Sequence, residues 1–198
     1  MSGKANMPAA GLAWVTVLLL LFGNSSSLTA QQSDDGYIDE PAEESLVNTN
    51  RLMHRHSAGL TYASSTAWTG YAIEHLFDGD QLTSWFSAKN DIASDDSQPW
   101  VEVTFPVGVS VVHVNVWGNR EPSWSTGYSV TRGRLELYDE NGNLLQSVEA
   151  EAEGDQYDFE FGLDKPVEQV RRVRFVSIAD QGTTNGDRCI ALGEIEIE

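Results

Sequence analysis

Between Glu74 and Ser87 the chain reads Glu-His-Leu-Phe-Asp-Gly-Asp-Gln-Leu-Thr-Ser-Trp-Phe-Ser. Asp78, Asp80 and Thr83 bring two carboxylates and a hydroxyl into one tight Asp-Gly turn, which Gly79 permits because it has no side chain to forbid the backbone reversal. Converging oxygens of this kind suit a hard cation such as calcium. They also suit an ordinary solvated acidic turn, and these residues alone leave both readings open. An EF-hand loop is excluded, since counting from Asp78 its sixth and twelfth positions fall on Thr83 and Lys89, where Gly and Glu are required.

Other chemistries lack their motifs. There is no Gly-x-Ser-x-Gly, His-Glu-x-x-His, Cys-x-x-Cys or P-loop in the sequence. The four histidines are His54, His56, His75 and His113, and no spacing assembles them with a nucleophile. Acidic pairs for glycoside hydrolysis are not excluded by counting, because acidic residues occur throughout. The sequence therefore points to a binding protein and not to an enzyme. The lone Cys189 has no partner for an internal disulfide and is expected to be a buried free thiol.

The chain has 198 residues and a formal charge of −18. Residues 1–30 carry one cation, Lys4, and no acid. An apolar run from about Ala9 to Gly23 is followed by Asn-Ser-Ser-Ser and Leu-Thr-Ala, which is the order of a secretory signal peptide with cleavage after Ala30. The remainder holds 30 acidic against 11 basic residues, a net charge near −19. Such a surface repels nucleic acid and anionic lipid headgroups, both of which need Lys and Arg. The chain is accordingly expected to be secreted or periplasmic. Residues 31–52 are polar, acidic and poor in large apolar side chains, as in a flexible tether.

From residue 53 onward the elements that must position any site are strands. Val101, Val103 and Phe105 alternate with polar residues, as do Val112, Val114 and Val116, then Leu135 and Leu137, then Tyr157, Phe159 and Phe161, then Ile195 and Ile197. Period-two alternation predicts strands with one face on a core and one in water. Turn chemistry separates them at Pro106–Gly108, Asp139–Gly142, Gly154-Asp155 and Leu163–Pro166, with Asn141-Gly142 the strongest hairpin signal. Only Tyr71–Phe77 reads as helical, for a turn or two. The fold class is all-β, an antiparallel sandwich, with Trp85 and Trp100 expected in its core.

Three segments then align in order: Leu76-Phe77-Asp78-Gly79-Asp80-x-x-Thr83-x-Trp85-x-Ser87, Pro99-Trp100-Val101-Glu102-Val103-x-Phe105 and Ile190-Ala191-Leu192-Gly193-Glu194-Ile195-Glu196-Ile197. Together they resemble the coagulation factor 5/8 type C (discoidin) family, which is similar to carbohydrate-binding modules of the galactose-binding-like fold. The resemblance covers roughly Ser57 to Glu198. It implies an eight-stranded jelly-roll sandwich with ligand loops at the end opposite the chain termini.

By position, the resemblance also implies a structural calcium beside the first turn. Its ligands would be Asp78, main-chain oxygen of His75 and Asp80, Thr83 through both its oxygens, and Glu194 from the C-terminal strand. Glu194 and Glu196 share a strand face, so sequence does not choose between them. For ligand binding it implies Arg120, together with the aromatics that could stack on a sugar ring: Trp124, Tyr128, Trp68 and Phe86, with Tyr71 in the same loop as Trp68. Two positions depart from the galactose-binding pattern. Phe86 stands where His is frequent, and Thr126-Gly127 where Asn-Gly is frequent, so galactose itself is not implied. Trp124 also fits a residue capping the end of the sandwich. The expected partner is a carbohydrate or extracellular glycan, the alternative an extracellular protein met by the same loops.

Overall fold

The computed structural model describes residues 51–198 apart from Gln81. The expected signal peptide and the tether as far as residue 50 lie outside the described residues. The tether boundary moves slightly: Arg51 and Leu52 open a short helix, α1 (Arg51–Arg55), and Leu52 and Met53 pack against the core.

Seven strands follow: β1 (Thr61–Ser64), β2 (Trp85–Phe86), β3 (Trp100–Gly118), β4 (Val130–Tyr138), β5 (Leu144–Glu151), β6 (Phe159–Asp180) and β7 (Ala191–Ile197). All pairings are antiparallel, in the order β2-β7-β3-β6-β4-β5, with β1 also on β3. The helical turn expected at Tyr71–Phe77 is a single 3₁₀ turn, Ile73–Leu76.

Seven strands suffice because β3 and β6 each run through both layers of the sandwich. The first half of β3 pairs with β1 and with the second half of β6; its second half pairs with β7 and the first half of β6. The two halves of β6 then face each other across the core, where the Phe159 and Phe175 rings lie 5.0 Å apart.

The bend comes from residues read in the sequence as joints. Pro106–Gly108 and Leu163–Pro166 do not end strands; they are bulges, with register shifts between Thr104 and Val109 and between Val111 and His113. Pro lacks the ladder N–H and Gly offers little to pack, so both are tolerated where pairing lapses. The same bulges correct the inward set: Val111 is buried and Val112 exposed, while Val114 and Val116 remain inside. Asn141-Gly142 does turn a hairpin between β4 and β5. There Asp139 accepts from the Asn143 side-chain amide and from the Asn143 and Asn141 N–H groups, and these bonds, the Asn143 amide's first, hold its carboxyl below the usual range.

Trp85 is fully buried, as expected. Trp100 is not a core residue: it is half-buried, with the Arg174 guanidinium 4.3 Å above its ring. Tyr157 does not continue the strand alternation; its φ of 59° places it in a turn, and β6 begins at Phe159. On β7 the expected water-facing side is buried too, and Glu194 and Glu196 lie inside with Ile195 and Ile197.

Candidate functional site

Successive residues of a strand point to opposite faces, and β2 uses this directly. Trp85 turns into the main core, its Nε1–H donating to the Thr66 carbonyl. Phe86 therefore faces the other way, into a second cluster with Cys189 and Ala191, against which Trp68, Tyr71 and Tyr128 pack. The Tyr71 and Tyr128 rings lie 4.5 and 5.4 Å from that of Phe86.

Trp124 completes the group from the loop after β3. It ends a 3₁₀ turn, Pro122–Trp124, whose N-cap Glu121 accepts from the Ser123 N–H. The Asn119 side-chain amide donates to the Trp124 carbonyl. The Trp124 Nε1–H donates to the Tyr71 hydroxyl at 2.9 Å, and its ring stands edge-on to Tyr128. With 46% of its surface exposed, Trp124 is an anchored rim residue and not a cap folded onto the core.

These five rings, Asp187 and Cys189 line a pocket of about 80 Å³. Asp187 is paired with Lys89 at 3.3 Å. Burial, reinforced by the Asp187 charge, pushes the Cys189 thiol up to about 11, so it remains protonated and inert as a nucleophile at neutral pH. Four of the predicted ligand residues, Trp68, Phe86, Trp124 and Tyr128, are thus brought together, with Tyr71 among them. Asp187 had no signal in the sequence, being one acidic residue among many.

Arg120 goes elsewhere. Its guanidinium grips the Asp158 carboxylate at 2.7 and 2.9 Å and donates to the main-chain oxygens of Gly118 and Gln156. It lines a separate polar cleft and not the aromatic pocket. The neighbouring Gly118 has no room for a side chain: a Cβ would sit 2.0 Å from the Gln156 carbonyl oxygen. Arg120 and Gly118 together pin the turn before β6 onto the end of β3.

The acidic turn is built locally. The Asp78 carboxylate accepts from the Asp80 N–H, and the Thr83 hydroxyl lies 3.0 Å from Asp78 Oδ2 and 2.9 Å from the Asp80 carbonyl. Glu194 comes to it from β7, one oxygen accepting from the Gly79 N–H at 3.3 Å. Glu196 lies instead beside the Asn115 amide. The His75 ring is directed at the Ser84 carbonyl, 3.0 Å from Nδ1, so its imidazole is not turned toward the carboxylates.

Among the described residues no three His, Cys, Asp or Glu side chains form a metal cluster. One atom nevertheless fits a cation: Glu194 Oε1 is buried with no hydrogen-bond partner. Burial, then the nearby Asp78 charge, pushes the Glu194 carboxyl up to about 8. A carboxylate held there is short of positive charge, and the oxygens around it are of the type calcium takes.

No protein-family model matches the chain, and no curated protein matches it in sequence. Solved structures do match its fold. A family 32 carbohydrate-binding module from C. perfringens NanJ, in complex with galactose, superposes with a TM-score of 0.55 at 16% identity, over 70% of this chain and 92% of that one. A fucose-binding module from Streptococcus pneumoniae gives 0.52 at 13% identity, over 69% and 89%. An F5/8 type C domain from Bacteroides fragilis gives 0.54 at 14% identity, over 72% and 91%. The described chain has the galactose-binding-like sandwich fold of these modules.

Proposed function

We propose that this galactose-binding-like sandwich is an exported, non-catalytic carbohydrate-binding module that takes its ligand at the aromatic pocket and is stabilised by calcium at the acidic turn. The observation that carries the reading is the set of five rings at one loop end, with Trp124 exposed yet fixed by its bond to Tyr71. Sugar rings present C–H faces that stack on aromatics held in this way. Several of the fold neighbours are described with bound sugars, which agrees with that use.

For the metal, Asp78 and Glu194 would supply carboxylate oxygen, Thr83 its hydroxyl and main-chain oxygen, and His75 and Asp80 main-chain oxygen. Bound there, calcium would neutralise the Glu194–Asp78 pair and tie β7 to the turn. The carbohydrate reading is tested on a glycan array, with and without calcium, using the exported chain and its Trp124→Ala variant. Binding lost in the variant supports it. Silence across the array refutes it and favours an extracellular protein as the partner of the same loops.

A further inference from the structure

The aromatic pocket is small: its 80 Å³ lies below the usual range of ligand sites, about 300–1,000 Å³. Directly behind its rim lies a larger cavity of about 420 Å³, within that range. One loop divides the two. Trp124 and Tyr128 face the aromatic pocket, while their chain neighbours Ser125 and Gly127 line the polar cleft. The same loop thus lines both.

We propose that this polar cleft is a second sugar subsite, and that the ligand is a neutral oligosaccharide lying across the loop with Trp124 at its crest. The proposal rests on the carbohydrate reading above and extends it. The lining residues carry the chemistry of hydroxyl recognition: the hydroxyls of Ser125 and Thr126, the amide of Gln156, the carboxylate of Asp155, and the Gln181 amide just after β6. Amides and carboxylates offer two polar atoms in one plane, which suits the paired hydroxyls of a sugar. The Gln181 amide is oriented, since its Nε2–H donates to the Tyr157 hydroxyl at 2.8 Å.

The cleft is also built in advance. Arg120 holds the Gln156 carbonyl, Gly118 lets that turn approach closely, and the Asn185 amide holds the Gly127 carbonyl at 2.6 Å. Walls fixed before binding spare the ordering cost that weakens association. Charge selects against acidic glycans. The one guanidinium of the cleft is taken by both oxygens of Asp158, while Glu121 and Asp155 remain on the lining, so a uronic or sialic acid would meet carboxylates with no free cation.

The test uses the full exported chain with calcium on an array presenting each terminal sugar both as a monosaccharide and as the end of a neutral oligosaccharide, followed by calorimetry on the soluble pair that binds best. The expected result is an oligosaccharide bound about tenfold or more tightly than its terminal monosaccharide, a gap of about 1.4 kcal/mol. Gln156→Trp fills the cleft from its exposed outer wall. It should abolish that advantage, leave monosaccharide binding and melting temperature unchanged, and be matched in direction by Gln181→Ala. Trp124→Ala should weaken both ligands alike. Equal affinity for the pair, or an advantage that survives Gln156→Trp, overturns the second subsite while the carbohydrate reading stands. Binding to neither form refutes both.

Discussion

Glu194→Gln should stabilise the protein without calcium and weaken it with calcium, and the reversal follows from one buried oxygen. In the folded chain the Glu194 carboxyl titrates at about 8 against an ordinary 4.5, because burial and then Asp78 disfavour its charge. The unfolded chain, exposed to water, keeps the ordinary value. Between those two pH values the folded state retains a proton that the unfolded state has released, so calcium-free stability falls as pH rises from about 4.5 to about 8 and is level above. At about 1.4 kcal/mol per pH unit the window sets a ceiling of several kcal/mol. Discounting for solvent screening of a side chain beside an exposed turn, the realised loss is about 1–2 kcal/mol, or roughly 3–8 °C in melting temperature for a domain of this size.

The assay is differential scanning calorimetry in EDTA from pH 5 to pH 9, comparing the wild type with Glu194→Gln so that other titrations cancel. The amide cannot ionise, so the variant should lose this slope and melt above the wild type at pH 9. Saturating calcium should reverse the order. Only the wild type then gains RT ln(1 + [Ca]/Kd), about 2.7 kcal/mol at 100 times Kd. A variant that melts below the chelated wild type at pH 9, or a difference that does not change with pH, refutes the account.

Trp124→Ala should weaken glycan affinity by about 1–3 kcal/mol, the loss of one stacked aromatic, with little change in melting temperature because the ring is half exposed; a large stability loss at unchanged affinity would make it a structural residue. Asp78→Ala should abolish the calcium-dependent rise in melting temperature, while Asp96→Ala, at an exposed position, should leave it intact; Asp91 is not a neutral control, since its carboxylate accepts from the Ser65 and Thr66 hydroxyls. Gly118→Ala should cost about 1–3 kcal/mol by overpacking, because its Cβ would strike the Gln156 backbone oxygen at 2.0 Å; denaturant titration reads this directly, and a neutral effect refutes the close approach. N-terminal sequencing of the exported protein should begin within a few residues of Gln31, and an intact Met1 in a membrane fraction would refute cleavage.

What the sequence determined by itself is whatever depends on neighbours along the chain. Alternation marks Val101, Val103, Leu135 and Leu137 as inward because a strand turns its faces at every residue. Asn141-Gly142 turns a hairpin because Gly142 takes a φ of 79° at no steric cost. The aromatic set was legible only through the family resemblance, and the fold supplies its reason at β2: Trp85 fills the core, so Phe86 beside it faces the loops. Tertiary structure alone decided where the polar side chains went. Arg120 is drawn to Asp158, 38 residues on, and an ionised fork takes the nearest carboxylate the fold offers, which no local spacing reveals. Pro106 and Pro166 bend strands instead of ending them because partner strands carry the pairing past each bulge. Glu194 meets the turn through Gly79, 115 residues away. Its alternation with Ile195 promised it to water, but on a strand covered on both faces that pattern says only which side it faces, and what lies on that side is set by segments distant in sequence.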